Sequence, residues 1–256
     1  MQKDDEVPTE SNGAEPSICF TLTLLNTITM FRRYPVTIFI VLLSIITAGI
    51  PALAPALQLD FALVADGQWW RLITGHFTHH GFSHLFWDLI MFAVLSAACE
   101  HRHRKHYLIT MLVSLLGISA AIAVFCPTIE TYRGLSGIDT GLFVWFILDQ
   151  ARDAFRGGNR TMCAVSAMAV IALLGKLIYE LQTGGTLFVE SDTFTPLVQS
   201  HLAGAFTGAI SFALSCIHRS PTRHALASDS RPSRSRAHHR TRTPINSPIV
   251  GPITNR

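Results

Sequence analysis

Hydrophobic residues in this chain are gathered into six long runs separated by short polar segments. We predict helical spans at residues 36–54, 84–99, 107–126, 136–148, 161–180 and 201–217. Apolar runs of this kind are typical of membrane helices, and those shorter than the ~20 residues of a full crossing fit helices buried by their neighbours. The pattern therefore predicts an all-α, polytopic membrane protein with a bundle of six transmembrane helices.

Composition supports this class. Of 256 residues, 49% are apolar and only 14% are charged, whereas about a quarter of residues are charged in soluble domains. The five cysteines form no CxxC pair, which favours buried thiols over a disulfide framework or a metal site. They are Cys19, Cys99, Cys126, Cys163 and Cys216.

Composition also divides the chain into three parts. Residues 1–33 form a polar N-terminal segment, 34–218 the membrane domain, and 219–256 a tail rich in Arg, Ser and Pro. We expect the tail to be disordered and solvated, or to touch anionic lipid. The connection 55–83 contains Trp69 and Trp70 and is predicted to be partly embedded at the membrane interface.

The charges of the loops predict the topology. Loop 101–106 is rich in Arg, Lys and His, and loop 152–160 contains three Arg. Loop 181–200 contains Glu190 and Asp192 and no Lys or Arg. The positive-inside rule then places both termini in the cytoplasm. The fourth and sixth spans consequently both begin at the outer side of the membrane.

Ser136 is a single hydroxyl between glycines at the start of the fourth span, in the sequence Tyr-Arg-Gly-Leu-Ser-Gly. Glycine permits close approach to the backbone, and a helix N-terminus favours developing negative charge. These properties suit a nucleophile. The alternative is that Gly134, Ser136 and Gly137 are small packing residues, which membrane helices commonly use.

His201 begins the sixth span, at the predicted depth of Ser136. Gly204 and Gly208 follow at GxxxG spacing, which allows a close helix contact. Histidine is the usual base for a serine nucleophile, although a histidine that only caps its helix is the alternative. No Asp or Glu is obviously placed to orient His201, so the expected arrangement is a Ser–His dyad rather than a triad.

Acyl transfer also needs donors for the developing oxyanion. The candidates are the backbone N–H of Ser136 and the polar head of the second span, His84 and Asp88, which share a helix face at i and i+4.

Together these residues resemble the rhomboid intramembrane serine proteases. The resemblance covers about residues 35–218 and rests on the segment Gly134–Gly137, on His201, and on Gly204 and Gly208. Trp70, Arg71, Thr74, His79 and His84 also have the spacing of the first rhomboid loop. The resemblance implies a six-helix core, a Ser–His dyad and access of water from the outer side. Residues 132–140 are further similar to the rhombosortase branch, which is associated with C-terminal sorting tails of exported proteins.

Asp88 departs from the family pattern, because rhomboids usually carry Asn at this position. An ionised carboxylate cannot donate to an oxyanion. Three possibilities follow: Asp88 is protonated by burial, it orients His84, or the oxyanion hole depends on His84 and backbone alone. We favour orientation of His84.

Other polar residues have simpler interpretations. Lys176 and Glu180, at i and i+4 in the fifth span, are expected to pair with each other or to snorkel, with substrate binding as an alternative. The histidines of residues 76–84 have no HExxH pattern and fit no closed zinc site. Gly184 and Gly185 make the connection after the fifth span a candidate gate for lateral admission of substrate.

The hypothesis is therefore an intramembrane serine endopeptidase of the bacterial inner membrane, with both termini cytoplasmic and an active site open to the outer side. Its expected partners are a transmembrane protein substrate and the lipid bilayer, not nucleic acid, and no cofactor or metal is expected. The oligomeric state stays open. The alternatives are an inactive rhomboid-like protein that binds and escorts membrane clients, or a small transporter, for which no inverted repeat or broken-helix pair is seen.

Overall fold

The computed structural model describes residues 29–186 and 197–218. Most of the predicted N-terminal segment, the acidic residues Glu190 and Asp192, and the Arg-rich tail 219–256 lie outside the described residues. In chain order the elements are α1 Pro35–Gly49, α2 Leu53–Leu57, β1 Leu59–Asp60, α3 Phe61–Ala65, α4 Arg71–Thr74, a 3-10 turn Gly75–Phe77, α5 Phe82–Phe125, β2 Thr131–Tyr132, α6 Ser136–Arg156, α7 Arg160–Thr183 and α8 Val198–His218.

The long helix α5 folds back on itself at His103, whose backbone is non-helical (φ −155°, ψ 82°). The hydroxyls of Ser96 and Tyr107 lie 2.7 Å apart, although eleven residues of straight helix would separate their Cα atoms by about 16 Å. The two halves of α5 are therefore antiparallel and correspond to the second and third predicted spans. The described residues thus contain six long helical segments.

Among the residues that the structure describes, three helices are long and apolar enough to cross a membrane: Phe82–Phe125, Arg160–Thr183 and Val198–Ile217. The first helix, Pro35–Gly49, is apolar but shorter. The predicted all-α membrane fold is confirmed. Among the described residues, β structure is limited to β1 and β2, which pair antiparallel with Leu59 opposite Tyr132.

Several predicted helix ends were wrong. The first span was predicted to reach residue 54, but α1 ends at Gly49. Ile50 is extended (φ −115°, ψ 103°) because the following residue is Pro51, which disfavours helical backbone before it. α8 starts at Val198, so His201 lies within its first turn and does not head the helix.

The fourth helix also continues well beyond the predicted residue 148, to Arg156. Its polar end is stabilised by ion pairs, because buried Asp149 accepts a hydrogen bond from Arg102 at 2.6 Å and also pairs with Arg152. The hydrophobic pattern ends before this cluster, which explains why the prediction stopped early.

Helices α6 and α8 pack side by side through glycines. A Cβ atom on Gly204 would collide with the carbonyl oxygen of Gly137, and one on Gly208 would collide with that of Gly141. Both pairs are separated by the same 67 positions, so the two helices run parallel and in register. Because Ser136 and His201 differ by 65 positions, they lie about two residues, or ~3 Å, apart along the shared helix direction.

Candidate active site

A cavity of about 490 Å³ lies between α5, α6, α7 and α8 and is lined by Ser136 and His201, together with His84 and Asp88. Its other walls are largely apolar. They include Trp87, Met91, Leu95, Ile129, Phe143 and Leu173. The four polar residues that sequence analysis assigned to chemistry therefore share one predominantly apolar cavity.

Ser136 is the first residue of α6, and the turn before it requires glycine. Gly134 has φ +123°, a region that other residues rarely adopt. A Cβ atom at Gly134 would also lie 2.8 Å from the His84 ring. The carbonyl of Gly134 accepts a hydrogen bond from the Tyr132 hydroxyl at 3.1 Å. This turn brings the start of α6 directly against the imidazole of His84.

The partner of His201 was missed by sequence reasoning. His201 is buried, with 4% of its surface exposed, and its Nδ1 lies 2.8 Å from Oε2 of Glu180 on α7. The expectation that no carboxylate orients His201 was therefore wrong. With Nδ1–H donating to Glu180, the lone pair of the imidazole is on Nε2, the atom needed to accept a proton from a serine.

Glu180 is itself fully buried and is also paired with Lys176, whose Nζ lies 2.7 Å from Oε1. The expected i and i+4 ion pair is thus present, and it is part of a larger group, because the same Nζ is 3.4 Å from Nδ1 of His201. Lys176 and Glu180 also line the cavity.

A signal for this group was present in the sequence. Ionisable residues inside membrane helices usually have a functional partner. Glu180 lies one turn before the end of α7, and His201 lies one turn after the start of α8. Consecutive helices joined at one side of a bundle bring such positions to the same depth, so Glu180 was a candidate partner by topology alone.

Asp88 joins three elements around the turn that precedes Ser136. Its Oδ2 accepts a hydrogen bond from the backbone N–H of Leu135 at 2.9 Å. The same oxygen lies 3.2 Å from Nε2 of His84 and 3.3 Å from Nε2 of His79. Of the three possibilities for Asp88, these contacts favour orientation of His84. The contact with Leu135 adds a role that the sequence did not indicate, because it holds the residue before the serine.

His76 belongs to the support of this region rather than to the cavity. Its Nε2 lies 3.0 Å from the carbonyl oxygen of Leu115 and 3.0 Å from the hydroxyl of Ser119, and its ring packs edge-on against Tyr132, 5.3 Å between centroids. Complete burial lowers the pKa of His76 from 6.5 to about 4, so its ring is neutral at pH 7. Within residues 29–186 and 197–218, no group of three or more His, Cys, Asp and Glu is arranged to hold a metal ion.

Comparison with known proteins shows a matching family model and a similar bacterial protein. The family model described as a rhomboid domain matches residues 66–217, which is more than half of the chain. The chain is also similar to a Bacillus subtilis (strain 168) protein named "Putative rhomboid protease YdcA". The two are 28% identical over 157 residues, which covers 57% of this chain and 78% of the relative. The family match begins in the connection before α4 and ends in α8, so it includes every element that contributes to the cavity.

Proposed function

This chain belongs to the rhomboid family of intramembrane proteases, and from that premise we propose that it is an active serine endopeptidase that cleaves a membrane protein in or near its transmembrane segment. The observation that carries the proposal is that Ser136 and His201 line one cavity, with Nδ1 of His201 held 2.8 Å from Glu180. A nucleophile, a base and a group that orients the base are the parts that serine hydrolysis needs.

In the proposed first step, the hydroxyl oxygen of Ser136 attacks the carbonyl carbon of the scissile peptide bond while Nε2 of His201 accepts the hydroxyl proton. The tetrahedral intermediate then collapses, the C–N bond breaks, and His201 returns the proton to the leaving amine. Glu180 acts as a positioning residue: it holds the imidazole in the tautomer that accepts at Nε2 and stabilises the imidazolium that forms.

In the second step a water molecule attacks the acyl ester on Ser136. His201 takes a proton from this water, and the serine oxygen leaves with that proton, which restores the free hydroxyl and releases the carboxylate product. We expect this water to enter beside the polar side chains of the cavity, because an apolar bilayer supplies none.

The oxyanion is stabilised in this proposal by backbone N–H groups at the start of α6 and by His84. The first N–H groups of a helix have no partner within that helix and carry its positive dipole end. His84 lies against the turn at Gly134 and within 3.2 Å of Asp88, so its ring is held from two sides. Preorganised donors of this kind act strongly where water is excluded.

The narrower proposal concerns substrate and location. The rhombosortase-like sequence of residues 132–140 supports an enzyme of the bacterial inner membrane that removes C-terminal sorting tails from exported proteins at the outer side. Its test is co-expression with an exported protein that ends in a Gly-rich motif, one span and a basic C-terminus. Retention of the tail at equal levels with the wild type and with Ser136→Ala would contradict this substrate class.

The test of the proposed activity uses a fluorescent alkyl fluorophosphonate, which phosphonylates activated serines and releases fluoride. The purified full chain in detergent is expected to become labelled, and Ser136→Ala and His201→Ala are expected to lose the label. Ser114→Ala, which alters a buried serine bonded to Thr207 between α5 and α8, is the control for general serine labelling and should label. Absence of labelling in a folded wild type would instead favour the inactive, client-binding alternative.

A further inference from the structure

Arg133 is a cationic residue of the cavity lining that the proposed mechanism does not use. It lies in the turn between β2 and α6, three residues before Ser136. Its Nε donates to Oε1 of Gln58 at 2.8 Å, and its Nη1 makes only a long contact of 3.5 Å with the carbonyl oxygen of His79. Among the residues that the structure describes, Nη2 of Arg133 has no hydrogen-bond partner.

Arg71, in the same region, shows by contrast how an arginine is used by the fold alone. It is only 5% exposed, and its Nε donates to Oε1 of Gln68 at 2.8 Å. Its Nη1 donates to the carbonyl oxygens of Pro55 at 3.1 Å and of Gln58 at 2.8 Å. The donors of Arg71 are thus taken up by the connection that it supports, whereas Arg133 keeps donors that no described residue uses.

The positive charge of Arg133 also lacks a counter-ion in the described part of the chain. Asp88 accepts from the backbone of the turn before α6 at 2.9 Å, and Glu180 pairs with Lys176 at 2.7 Å; neither forms an ion pair with Arg133. His80, another residue of the cavity lining, is affected by this charge. Its burial, followed by the nearby charge of Arg133, lowers the pKa of His80 from 6.5 to about 4. An anion beside Arg133 would therefore be attracted without displacing an existing partner.

We infer that Arg133 forms a specificity subsite that binds an acidic side chain of the substrate, two or three residues before the cleaved bond. This inference rests on the proposed function, because it assigns a substrate class to the same cavity. A guanidinium suits this role, since two of its N–H groups can donate in parallel to the two oxygens of a carboxylate. The catalytic steps give Arg133 no other part.

The position of the acidic residue follows from the length of chain between Arg133 and Ser136. These three residues span at most about 10 Å, and two or three residues of an extended substrate cover about 7–10 Å. The side of the cleaved bond follows from topology. The turn before α6 is expected at the outer side of the membrane, and a protein with a C-terminal sorting tail has the residues before its cleaved bond on that side. The residue next to the cleaved bond lies closer to Ser136 and is not assigned to Arg133.

The inference is tested with peptide aldehydes of the form acetyl-Xaa-Ala-alaninal, in which Xaa is glutamate, glutamine or lysine. A second set places the same residues one position closer to the aldehyde. Each peptide forms a reversible adduct with an activated serine, and its potency is read as protection of Ser136 from fluorophosphonate labelling. Glutamine keeps the shape of glutamate without its charge. In at least one set, the glutamate peptide is expected to protect wild type at about 10-fold lower concentration than the glutamine peptide, and the lysine peptide should be the weakest.

Three variants assign the preference to the charge of Arg133. In Arg133→Gln the advantage of the glutamate peptide should fall below about threefold, and in Arg133→Glu the lysine peptide should become the most potent, because like charges repel. The matched control is Gln58→Ala, which removes the hydrogen-bond partner of Arg133 but not its charge, and the advantage should persist. Labelling by the uncharged fluorophosphonate shows whether each variant retains a working serine.

The outcomes separate the two proposals. Equal protection by the glutamate and glutamine peptides in both sets overturns the acidic subsite, while labelling of Ser136 leaves the protease proposal standing. A preference for glutamate that survives in Arg133→Gln belongs to another residue, and one that is lost in Gln58→Ala belongs to the arrangement of the connection; either result overturns the inference. If the Arg133 variants do not fold, the comparison of the peptides on wild type and Gln58→Ala still decides whether an anion is preferred.

Discussion

The helices that meet at the cavity are packed in two different ways. Ten of the 21 residues of α6 are buried, and its contact with α8 is so close that glycines are required on both sides. In α7 only three of 24 residues are buried, Ser166, Leu177 and Glu180. Thus α6 and α8 form a tightly packed pair, whereas α7 is loosely attached to it.

The residues of the candidate active site are distributed over both the tightly packed pair and the loosely packed helix. Ser136 and His201 lie on the tightly packed pair, where backbone contacts fix their separation. Glu180 lies on the loosely packed helix and reaches His201 and Lys176 through polar contacts of 2.8 and 2.7 Å. The distance between nucleophile and base therefore depends on glycine packing, and the orientation of the base depends on a buried ion pair.

The largest effect is expected from a methyl group in the tight contact. In Gly204→Ala the added Cβ meets the backbone carbonyl of Gly137, and backbone cannot rotate away as a side chain can. We expect a loss of about 3 kcal/mol or more in the free energy of unfolding, together with loss of fluorophosphonate labelling. Stability is measured by SDS titration in mild detergent, and a wild-type midpoint with wild-type labelling would contradict the close contact.

The next effect concerns His76, which joins the loop before α5 to the second half of α5 through Leu115 and Ser119. Its pKa is about 4 in the folded protein against 6.5 for an exposed histidine, so the unfolded chain binds a proton between these values that the folded chain rejects. The free energy of unfolding therefore has its full value above pH 6.5, and it falls by about 3 kcal/mol as the pH drops to about 4.

The measurement is SDS-induced unfolding at pH 7, 6 and 5 for wild type and His76→Gln. Glutamine keeps a hydrogen-bond donor and does not titrate. The variant should therefore be less stable than wild type at pH 7, but its free energy of unfolding should fall less as the pH is lowered. Parallel losses in the two proteins would show that His76 is not the group responsible.

On the loosely packed side, Glu180→Gln is expected to slow phosphonylation of the serine by about 100-fold, because glutamine leaves the imidazolium without a negative partner. The maximum labelling rate should fall while the probe concentration at half-maximal rate and the unfolding midpoint stay near those of wild type. Tyr179→Phe, at an exposed neighbour on α7, is the matched control and should label normally. A parallel loss of rate and stability in Glu180→Gln would mean that Glu180 serves only the packing of α7.

The difference between the α6–α8 pair and α7 also explains which features were predictable from sequence. Long apolar runs predicted the helical segments, and the glycine spacing at Gly204 and Gly208 predicted a close helix contact, because both signals are local and repetitive. Loop charges placed the starts of the fourth and sixth spans on the same side, which predicted that Ser136 and His201 would lie at similar depth.

The features that were not predicted depend on contacts between helices, which no local sequence pattern encodes. Glu180 and Lys176 formed a complete pair within one helix, so nothing in their spacing required His201. The reversal at His103 and the end of α1 at Gly49 were located only approximately, since hydrophobic runs mark the membrane core and not the polar ends of helices.

Asp88→Ala should reduce the rate of fluorophosphonate labelling less than Ser136→Ala does. Removal of the carboxylate releases His84 and the backbone N–H of Leu135 but leaves the nucleophile and base in place. We expect a labelling rate lower by about 10-fold, against complete loss in Ser136→Ala. Asp88→Asn, which restores a polar group of the same size, should recover part of the rate. Equal and complete losses in Asp88→Ala and Ser136→Ala would count against an orienting role.

The smallest effect is expected from the same glycine-to-alanine change on the loosely packed helix. Gly175 lies on the exposed face of α7, and a Cβ atom there would have no atom within 4 Å. Gly175→Ala should therefore stabilise the protein by about 0.5–1 kcal/mol, since alanine loses less conformational freedom in a helix than glycine does, and labelling should be unchanged. Measured beside Gly204→Ala, this variant isolates packing from chemistry, because both add one methyl group to a helical glycine. A Gly175→Ala variant that is as damaged as Gly204→Ala would show that α7 is packed as closely as α6 and α8.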